Sequence, residues 1–313
     1  MRPLLLLGLL VFSVPLVLNN PYYLNVLAIV GLNAMVAVGL SLFIGYAGQI
    51  SLGHGAFYAM GAYGSAILAL HFGLNPWFSL PLAIFFTTLA AWGLGYLILR
   101  LRGHYLVMAT LGINLVVYFL LIELEPWTGG LSGLPGIPPL CLGDFCFLTD
   151  RACYFLIWTV ALLVVALGLR LTQGRLGREL RAIRDSETAA RALGIPVTRY
   201  KVAVFALSAA ITALAGGLYT HYLSFISPKT FDVFYSVEMV TMVLIGGMGS
   251  VWGAVLGAAF LTPLPQVLEF FEEFKDIFYG LLLMVILVWQ PKGLSAFWEN
   301  LKPFAKRLRF SAF

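Results

Sequence analysis

Apolar residues follow one another along almost the whole chain, in stretches of 9 to 23 residues that end at charged residues, proline or glycine. A helix needs about 20 apolar residues to cross the ~30 Å core of a bilayer, and fewer if it is tilted or broken. The pattern therefore predicts ten transmembrane or half-membrane helices. They are Leu4 to Leu18, Tyr22 to Ile44, Gly55 to Leu70, Trp77 to Leu99, Tyr105 to Ile122, Cys153 to Leu171, Val202 to Leu223, Val237 to Ile245, Val251 to Leu261 and Ile277 to Trp289.

The composition excludes a soluble protein. Of 313 residues, 61% are hydrophobic and 11% are charged, and the mean hydropathy is +0.93, whereas soluble domains carry about 25% charged residues. We predict an all-α integral membrane protein in which residues 1–313 form a single transmembrane domain. Five helices fall in each half, residues 1–151 and 152–313, as a five-plus-five inverted repeat requires. The glycine breaks fall at different positions in the two halves, so the repeat is only suggested.

The basic residues predict the orientation, because Lys and Arg collect on the cytoplasmic side of membrane proteins. Ten crossings with both termini in the cytoplasm place 16 of the 19 basic residues there. The exceptions are Arg151, Lys229 and Lys275. The first segment has the alternative of being a secretory signal. It lacks a small-x-small cleavage motif before Asn19, and its removal stays open.

Two apolar stretches are interrupted by glycine, at GYAGQISLGHG (residues 45–55) and GGMGSVWG (residues 246–253). Non-helical backbone at membrane depth is tolerated only inside protein or beside a water-filled cavity, and such breaks indicate a transport path. A tight turn at the membrane surface is the alternative, and any single glycine is explained as well by close helix packing. The residues predicted to line the path are Gly45, Gln49, Ser51, His54, Gly246, Gly247, Gly249 and Ser250.

Ionisable residues are scarce within the predicted spans. His54 and Glu238 lie at segment edges, and His221 lies near the outer end of its helix. Without a series of buried Asp, Glu or Lys side chains there is no proton relay, which argues against an ion-driven carrier. We find no catalytic residues, and no Cys and His cluster spaced to hold a metal. The sequence also lacks the GxxxxGK[ST] loop that binds ATP, so we do not expect an enzyme.

The cytoplasmic loop of residues 172–201 predicts an amphipathic helix from Arg178 to Leu193. Leu180, Ile183, Ala190 and Leu193 approximate an apolar stripe, and Gly194 before Pro196 is a stop signal. The stripe would lie in the lipid headgroups or in a groove of a partner protein, and periodicity does not distinguish the two. On the opposite side, the long loop from Glu123 to Arg151 is rich in Pro and Gly, which favours irregular structure. A disulfide between Cys141 and Cys146 in this loop is chemically feasible outside the cell.

Three spaced motifs resemble the LivM-type permease of branched-chain amino-acid ABC transporters. They are Gly39 to Tyr63, Gly177 to Ile195 and Ile245 to Ser250, and the similarity ends near Trp289 to Leu294, which covers most of the chain. The resemblance implies a multi-pass importer permease in the inner membrane of a prokaryotic cell. It also implies a second permease, two ATPase subunits that bind ATP and Mg, and an extracytoplasmic solute-binding protein that meets residues 128–139 and 227–235.

The resemblance further implies that the amphipathic helix is the coupling helix, docked in an ATPase groove. The residues expected to couple are Arg178, Glu179, Arg181, Ile183, Arg184, Ala190, Leu193 and Gly194. The expected cargo is leucine, isoleucine, valine or a related small solute, and nothing in the sequence discriminates among these, urea and short amides. The subunit stoichiometry and the resting state of the gate also stay open. A self-sufficient channel or secondary carrier is the alternative function, and a membrane scaffold without transport is a weaker one.

Overall fold

Helices make up nearly all the regular structure of the chain. The computed structural model describes residues 2–17, 20–142 and 145–268, together with 277, 280, 281, 284, 285, 293 and 294. In chain order the helices are α1 Arg2–Val17, α2 Pro21–Ser41, α3 His54–Leu70, α4 Pro76–Ile98, α5 His104–Glu123, α6 Glu125–Thr128, α7 Asp150–Gln173, α8 Arg175–Asp185, α9 Glu187–Ala192, α10 Val197–Leu223, α11 Val233–Gly246, α12 Val251–Leu261 and α13 Leu264–Val267.

Five of these helices are long and apolar enough to cross a membrane: α2 with the π-helical turn Leu42–Tyr46 that continues it, and α4, α5, α7 and α10. Helices α1, α3, α11 and α12 are shorter and also apolar. The predicted all-α membrane class is confirmed. Nine of the ten predicted segments coincide with helices, and the tenth, Ile277 to Trp289, lies largely outside the described residues.

Polar caps explain where several apolar helices begin. The side chains of Asn20 and Asn75 each accept a hydrogen bond from the backbone N–H two residues on, and a proline follows each of them. A side-chain acceptor at the N-cap pairs with an N–H that the helix leaves free, and proline at the first helical position has no N–H to pair. An Asn-Pro pair therefore starts both α2 and α4.

Small residues bring the helices at the centre of the molecule close together. Helix α10 packs on α3, α4 and α2, and α7 packs on α2 from another side. At the α3–α10 contact, Gly61 lies against the backbone of Ala213, and Gly216 lies against the backbone of Tyr58, so that a Cβ atom at either glycine would overlap main-chain atoms. Close approach through glycine and alanine is the usual way in which membrane helices associate.

The long loop between α5 and α7 takes part in two short antiparallel pairs of strands. Strand β1 Leu134–Pro135 pairs with β4 Phe225–Ile226, which follows α10, and β2 Cys141–Leu142 pairs with β3 Phe145–Cys146. Cys141 and Cys146 form a disulfide, and the indole Nε1 of Trp77 donates to the Cys141 carbonyl over 2.8 Å. Irregular structure was expected here, but the loop contains α6, a 3-10 turn and these short strands. It is fixed to α4 and to the chain that follows α10.

Candidate functional site

The first glycine-rich break begins at Gly45, inside the π-helical turn that continues α2, and extends through the irregular residues 47–53. This turn comprises Leu42–Tyr46, and such turns are frequent at functional sites. Several backbone donors of the break find acceptors nearby: Gln49 N bonds Phe43 O over 3.2 Å, and Leu52 N bonds Thr110 Oγ1 of α5 over 3.0 Å. Irregular backbone at this depth is tolerated because neighbouring protein satisfies it.

His54 begins α3 at the end of this break and lies in the interior of the protein. Its Nε2 is 2.8 Å from Ser208 Oγ of α10, and its Nδ1 is 3.2 Å from Ser51 Oγ. The rings of Phe57 and Phe205 pack against the imidazole. Both ring nitrogens therefore have partners, and the side chain, 1% exposed, joins α3 to α10 in this conformation.

A second polar contact lies beside His54, between α3, α5 and α11. Gly55 N donates to Ser236 Oγ over 2.9 Å, and Asn114 Nδ2 donates to the same oxygen over 3.1 Å. Asn114 stands near the middle of α5 and is 1% exposed, and its Oδ1 has no hydrogen-bond partner among the described residues. An unpaired buried acceptor is unfavourable by about 1–3 kcal/mol. The beginnings of α3 and α11 thus meet at half the depth of α5, around a polar group that is not fully satisfied.

The second glycine-rich break is a tight turn between α11 and α12. Gly247 and Gly249 have φ angles of 113° and 84°, which side-chain-bearing residues rarely adopt, and Ser250 caps α12 by accepting from Gly253 N. Gly249 lies directly against Gly45 of the first break, where a Cβ atom on Gly45 would overlap the Gly249 backbone. The two breaks, 204 residues apart in the chain, therefore meet at one point.

Arg184 of α8 connects the loop of residues 172–201 to this meeting point. Its Nη1 donates to Gly45 O over 2.9 Å and lies 3.3 Å from the position that a Cβ atom on Gly249 would take. Its aliphatic stem packs on Gly48. One turn earlier, Arg181 donates to Thr172 O over 3.3 Å, and its guanidinium lies 5.8 Å from the ring centre of Tyr46. Both arginines therefore point into the chain.

The prediction of a single amphipathic helix from Arg178 to Leu193 is wrong, because the loop contains two helices, α8 and α9. Ser186 separates them with φ −161° and ψ 113°, and its side chain accepts from Ala189 N. Serine favours an N-cap position because it can make this bond in extended backbone. The predicted stop is confirmed, since α9 ends at Ala192 and Gly194 adopts φ 79°.

The apolar stripe of this loop is buried by the chain itself. Leu180, Ile183 and Ala190 are at most 1% exposed, and α8 packs on α7, the π-helical turn and α10. The expectation that these three side chains lie in lipid headgroups or in a partner's groove is wrong, because the membrane helices already cover them. Leu193, by contrast, is 79% exposed.

Ion pairs fix the same loop to α10 and to the connection between α4 and α5. Glu187 pairs with Lys201 of α10, whose side chain is 3% exposed, and with Arg102 over 3.7 Å. A cavity of about 230 Å³ lies beside this group, lined among others by Gln49, Arg102 and His104. On α8, the hydroxyl of Tyr200 and the guanidinium of Arg175 lower the pKa of Glu179. The loop is therefore fixed to the ends of α4, α5 and α10.

A protein-family model described as "Branched-chain amino acid transport system / permease component" matches residues 22–287. The chain belongs to this permease family. The permease is 35% identical to the high-affinity branched-chain amino acid transport system permease protein LivM of Salmonella typhimurium, over 83% of this chain and 67% of the relative. LivM of Escherichia coli is similar to the same extent. The autoinducer 2 import system permease protein LsrC of Salmonella choleraesuis is 29% identical over 73% of this chain and 68% of the relative. No solved structure was found to match.

Within this permease, the predicted path residues occupy one region but not one surface. Gly45, Ser51, His54, Gly246 and Gly247 are buried in contacts between helices, and Gln49, Gly249 and Ser250 are partly exposed at the end that faces α8. Their role beside a path stays a prediction. Of the predicted coupling residues, Arg178, Arg184, Leu193 and Gly194 are exposed, Glu179 and Arg181 are partly exposed, and Ile183 and Ala190 are buried.

The sequence interpretation missed Thr110, Asn114, Ser208 and Ser236 of the permease, which satisfy or approach the first break. Each is an uncharged polar residue in a largely apolar helix, and that feature could have marked them. The sequence predicted that Glu238 lies at the edge of a span that begins at Val237. The structure places it inside α11, because Asp232 caps the helix by accepting from Tyr235 N and the helix begins at Val233.

Proposed function

We propose that this permease forms the membrane path of an ABC importer that moves branched-chain amino acids into the cytoplasm. Its similarity to the LivM proteins supports the cargo. The transporter also contains a second permease, two ATPase subunits and an extracytoplasmic binding protein. ATP and Mg bind to the ATPase subunits. The permease lies in a prokaryotic inner membrane with both termini in the cytoplasm.

The observation that carries the proposal is the contact of Arg184 with both glycine-rich breaks. Helices α8 and α9 expose Arg178 and Leu193 on their outer side, while Arg184 bonds Gly45 and lies beside Gly249 on their inner side. An ATPase that binds the outer side and closes on ATP pushes the inner side against the two breaks. Such a ligand shifts the gate by as much as its affinity differs between the two states.

On the opposite side, the β1–β4 strand pair places the two predicted docking loops for the binding protein next to each other. Residues 128–139 include β1, and residues 227–235 follow β4 directly. A binding protein that docks across this pair contacts the segments between α5 and α7 and between α10 and α11 at once.

Uptake by the reconstituted transporter tests the proposal. Proteoliposomes that contain both permeases and the ATPases, with binding protein outside and ATP inside, should accumulate labelled leucine. Competition with isoleucine, valine, urea and short amides then defines the cargo. Uptake by the permease alone, without ATPases, would establish a self-sufficient channel or carrier instead, and no uptake under any of these conditions would contradict a transport role.

A further inference from the structure

Helix α11 carries a carboxylate inside an otherwise apolar sequence. Because Asp232 starts the helix at Val233, Glu238 lies in its second turn and not at its edge. Within the part of the chain that the structure describes, no ion pair or hydrogen bond involves the Glu238 side chain. A carboxylate inside a membrane helix is unfavourable in hydrocarbon, and such groups typically face the bundle interior or a water-filled cavity.

Glu238 shares an outward face of α11 with two apolar residues. Phe234 is 80% exposed and Val237 is 43% exposed, and positions separated by three or four residues lie on the same side of a helix. The opposite side of α11, with Ser236 and Met239, is buried against the rest of the chain. Glu238 is itself partly exposed, so its carboxylate lies at the boundary between the chain and its surroundings.

The depth of Glu238 follows from its neighbour Ser236. Ser236 Oγ accepts from Gly55 N at the start of α3 and from Asn114 near the middle of α5. Glu238 lies two residues further along α11, which is about 3 Å along the helix axis. The carboxylate therefore lies close to half the depth of a membrane-crossing helix, where it is too far from the headgroups for a side chain as short as glutamate to reach them.

Helix α4 shows what a lipid-facing surface of this chain looks like. Its exposed side chains include Phe85, Phe86 and Leu89, and no charged residue occurs between Pro76 and Ile98. The exposed face of α11 differs by its one carboxylate. Lipid chains are therefore unfavourable neighbours of the α11 face. A ligand that carries a cationic group and also makes apolar contacts fits this face better.

We propose that the α11 face of Phe234, Val237 and Glu238 lines the translocation path, and that the Glu238 carboxylate binds the ammonium group of the amino acid in transit. Phe234 and Val237 then contact its aliphatic side chain. This assignment rests on the proposed function, because a branched-chain amino acid supplies both an ammonium group for Glu238 and an apolar side chain for Phe234 and Val237. It makes Glu238 a substrate-binding residue that selects for the amine.

Thiol labelling tests whether the α11 face is accessible to water. We would introduce Phe234→Cys and Val237→Cys separately, with Cys153→Ser to remove the buried free thiol, and assemble the complete transporter in proteoliposomes. A charged, membrane-impermeant methanethiosulfonate should modify both positions, and leucine should protect them. Phe85→Cys on α4, 60% exposed, is the matched control and should resist modification. Labelling at α11 that is no faster than at this control would overturn the proposal.

Charge removal tests the role of the carboxylate. Glu238→Gln keeps the size of the side chain and should lower kcat/KM for leucine uptake by about 10- to 100-fold, as expected for a lost hydrogen bond to a charged group. Glu238→Asp should retain more activity than Glu238→Gln. Glu123→Gln, at the exposed outer end of α5, should transport like the wild type at equal amounts of assembled complex. Undiminished uptake by Glu238→Gln would refute ammonium binding.

The two experiments separate this inference from the proposed function. If the wild-type transporter takes up none of the branched-chain amino acids, the proposed cargo is wrong and the ammonium-binding role is wrong with it. The rate of labelling without added leucine does not depend on which solute is transported, so it still decides whether the α11 face borders water or lipid.

Discussion

Replacing Arg184 with alanine should uncouple uptake from ATP hydrolysis. The substitution removes the 2.9 Å hydrogen bond from Nη1 to Gly45 O and the packing of the aliphatic stem on Gly48. A hydrogen bond with a charged partner contributes about 1.5–3 kcal/mol. The Arg184 side chain is 40% exposed, so solvent screening favours the lower end, about 1.5 kcal/mol. That energy corresponds to a roughly tenfold change in an equilibrium, here the equilibrium between coupled and uncoupled positions of α8.

The assay is leucine accumulated per ATP hydrolysed in proteoliposomes that hold the complete transporter. Arg184→Ala should lower this ratio about tenfold while the complex still assembles. Arg175→Ala is the matched control on the same helix, because the Arg175 side chain is 82% exposed and forms a surface ion pair with Glu179. Such a surface pair contributes at most about 1 kcal/mol. An unchanged ratio in Arg184→Ala, or an equal loss in both variants, would refute the connection through Gly45.

Three further predictions concern assembly and stability. Gly45→Ala should abolish uptake, because the added methyl group overlaps the backbone of the second break. Gly93→Ala is the control and should transport, because Gly93 has open space around it. Equal activity of the two variants would contradict the contact between the breaks. Lys201→Met should lower the thermal stability of the purified permease by about 1–3 kcal/mol because Glu187 loses its most buried partner; an unchanged melting temperature would show that the ion pair contributes nothing. Cys141→Ser should destabilise the loop between α5 and α7 by about 2 kcal/mol. Limited proteolysis should then cleave that loop faster in the variant than in the wild type, and equal rates of cleavage would contradict this prediction.

Much of the architecture was predictable from local chemistry. Apolar runs near the length of a bilayer core marked the spans, and the Gly194 stop signal was interpreted correctly, because these features depend on residues close in sequence. Helix starts were less well predicted. The starts of α10 and α11 lay several residues earlier than expected, since polar residues such as Lys201 and Asp232 extend these helices through their own ion pairs and caps.

The arrangement of the site was less predictable than its members. Both glycine-rich breaks were identified, yet their contact through Gly45 and Gly249 joins two distant parts of the chain, and periodicity contains no information about such pairs. The stripe of α8 was recognised from its spacing, but spacing does not tell which surface covers it. That Leu180 and Ile183 pack inside the chain emerges only from the tertiary fold.

The hydrogen-bonded pairing of β1 with β4 joins the segment between α5 and α7 to the segment between α10 and α11. Leu134 stands opposite Ile226, and Ile137 N donates to Ser224 O just beyond the strands, so a pull on either segment is shared by the other. A protein that binds one of these two segments therefore does not need to bind the other separately in order to move both together. Disrupting this pairing would let the two segments move independently of each other, so that their movement would be coupled through the contact between Gly45 and Gly249.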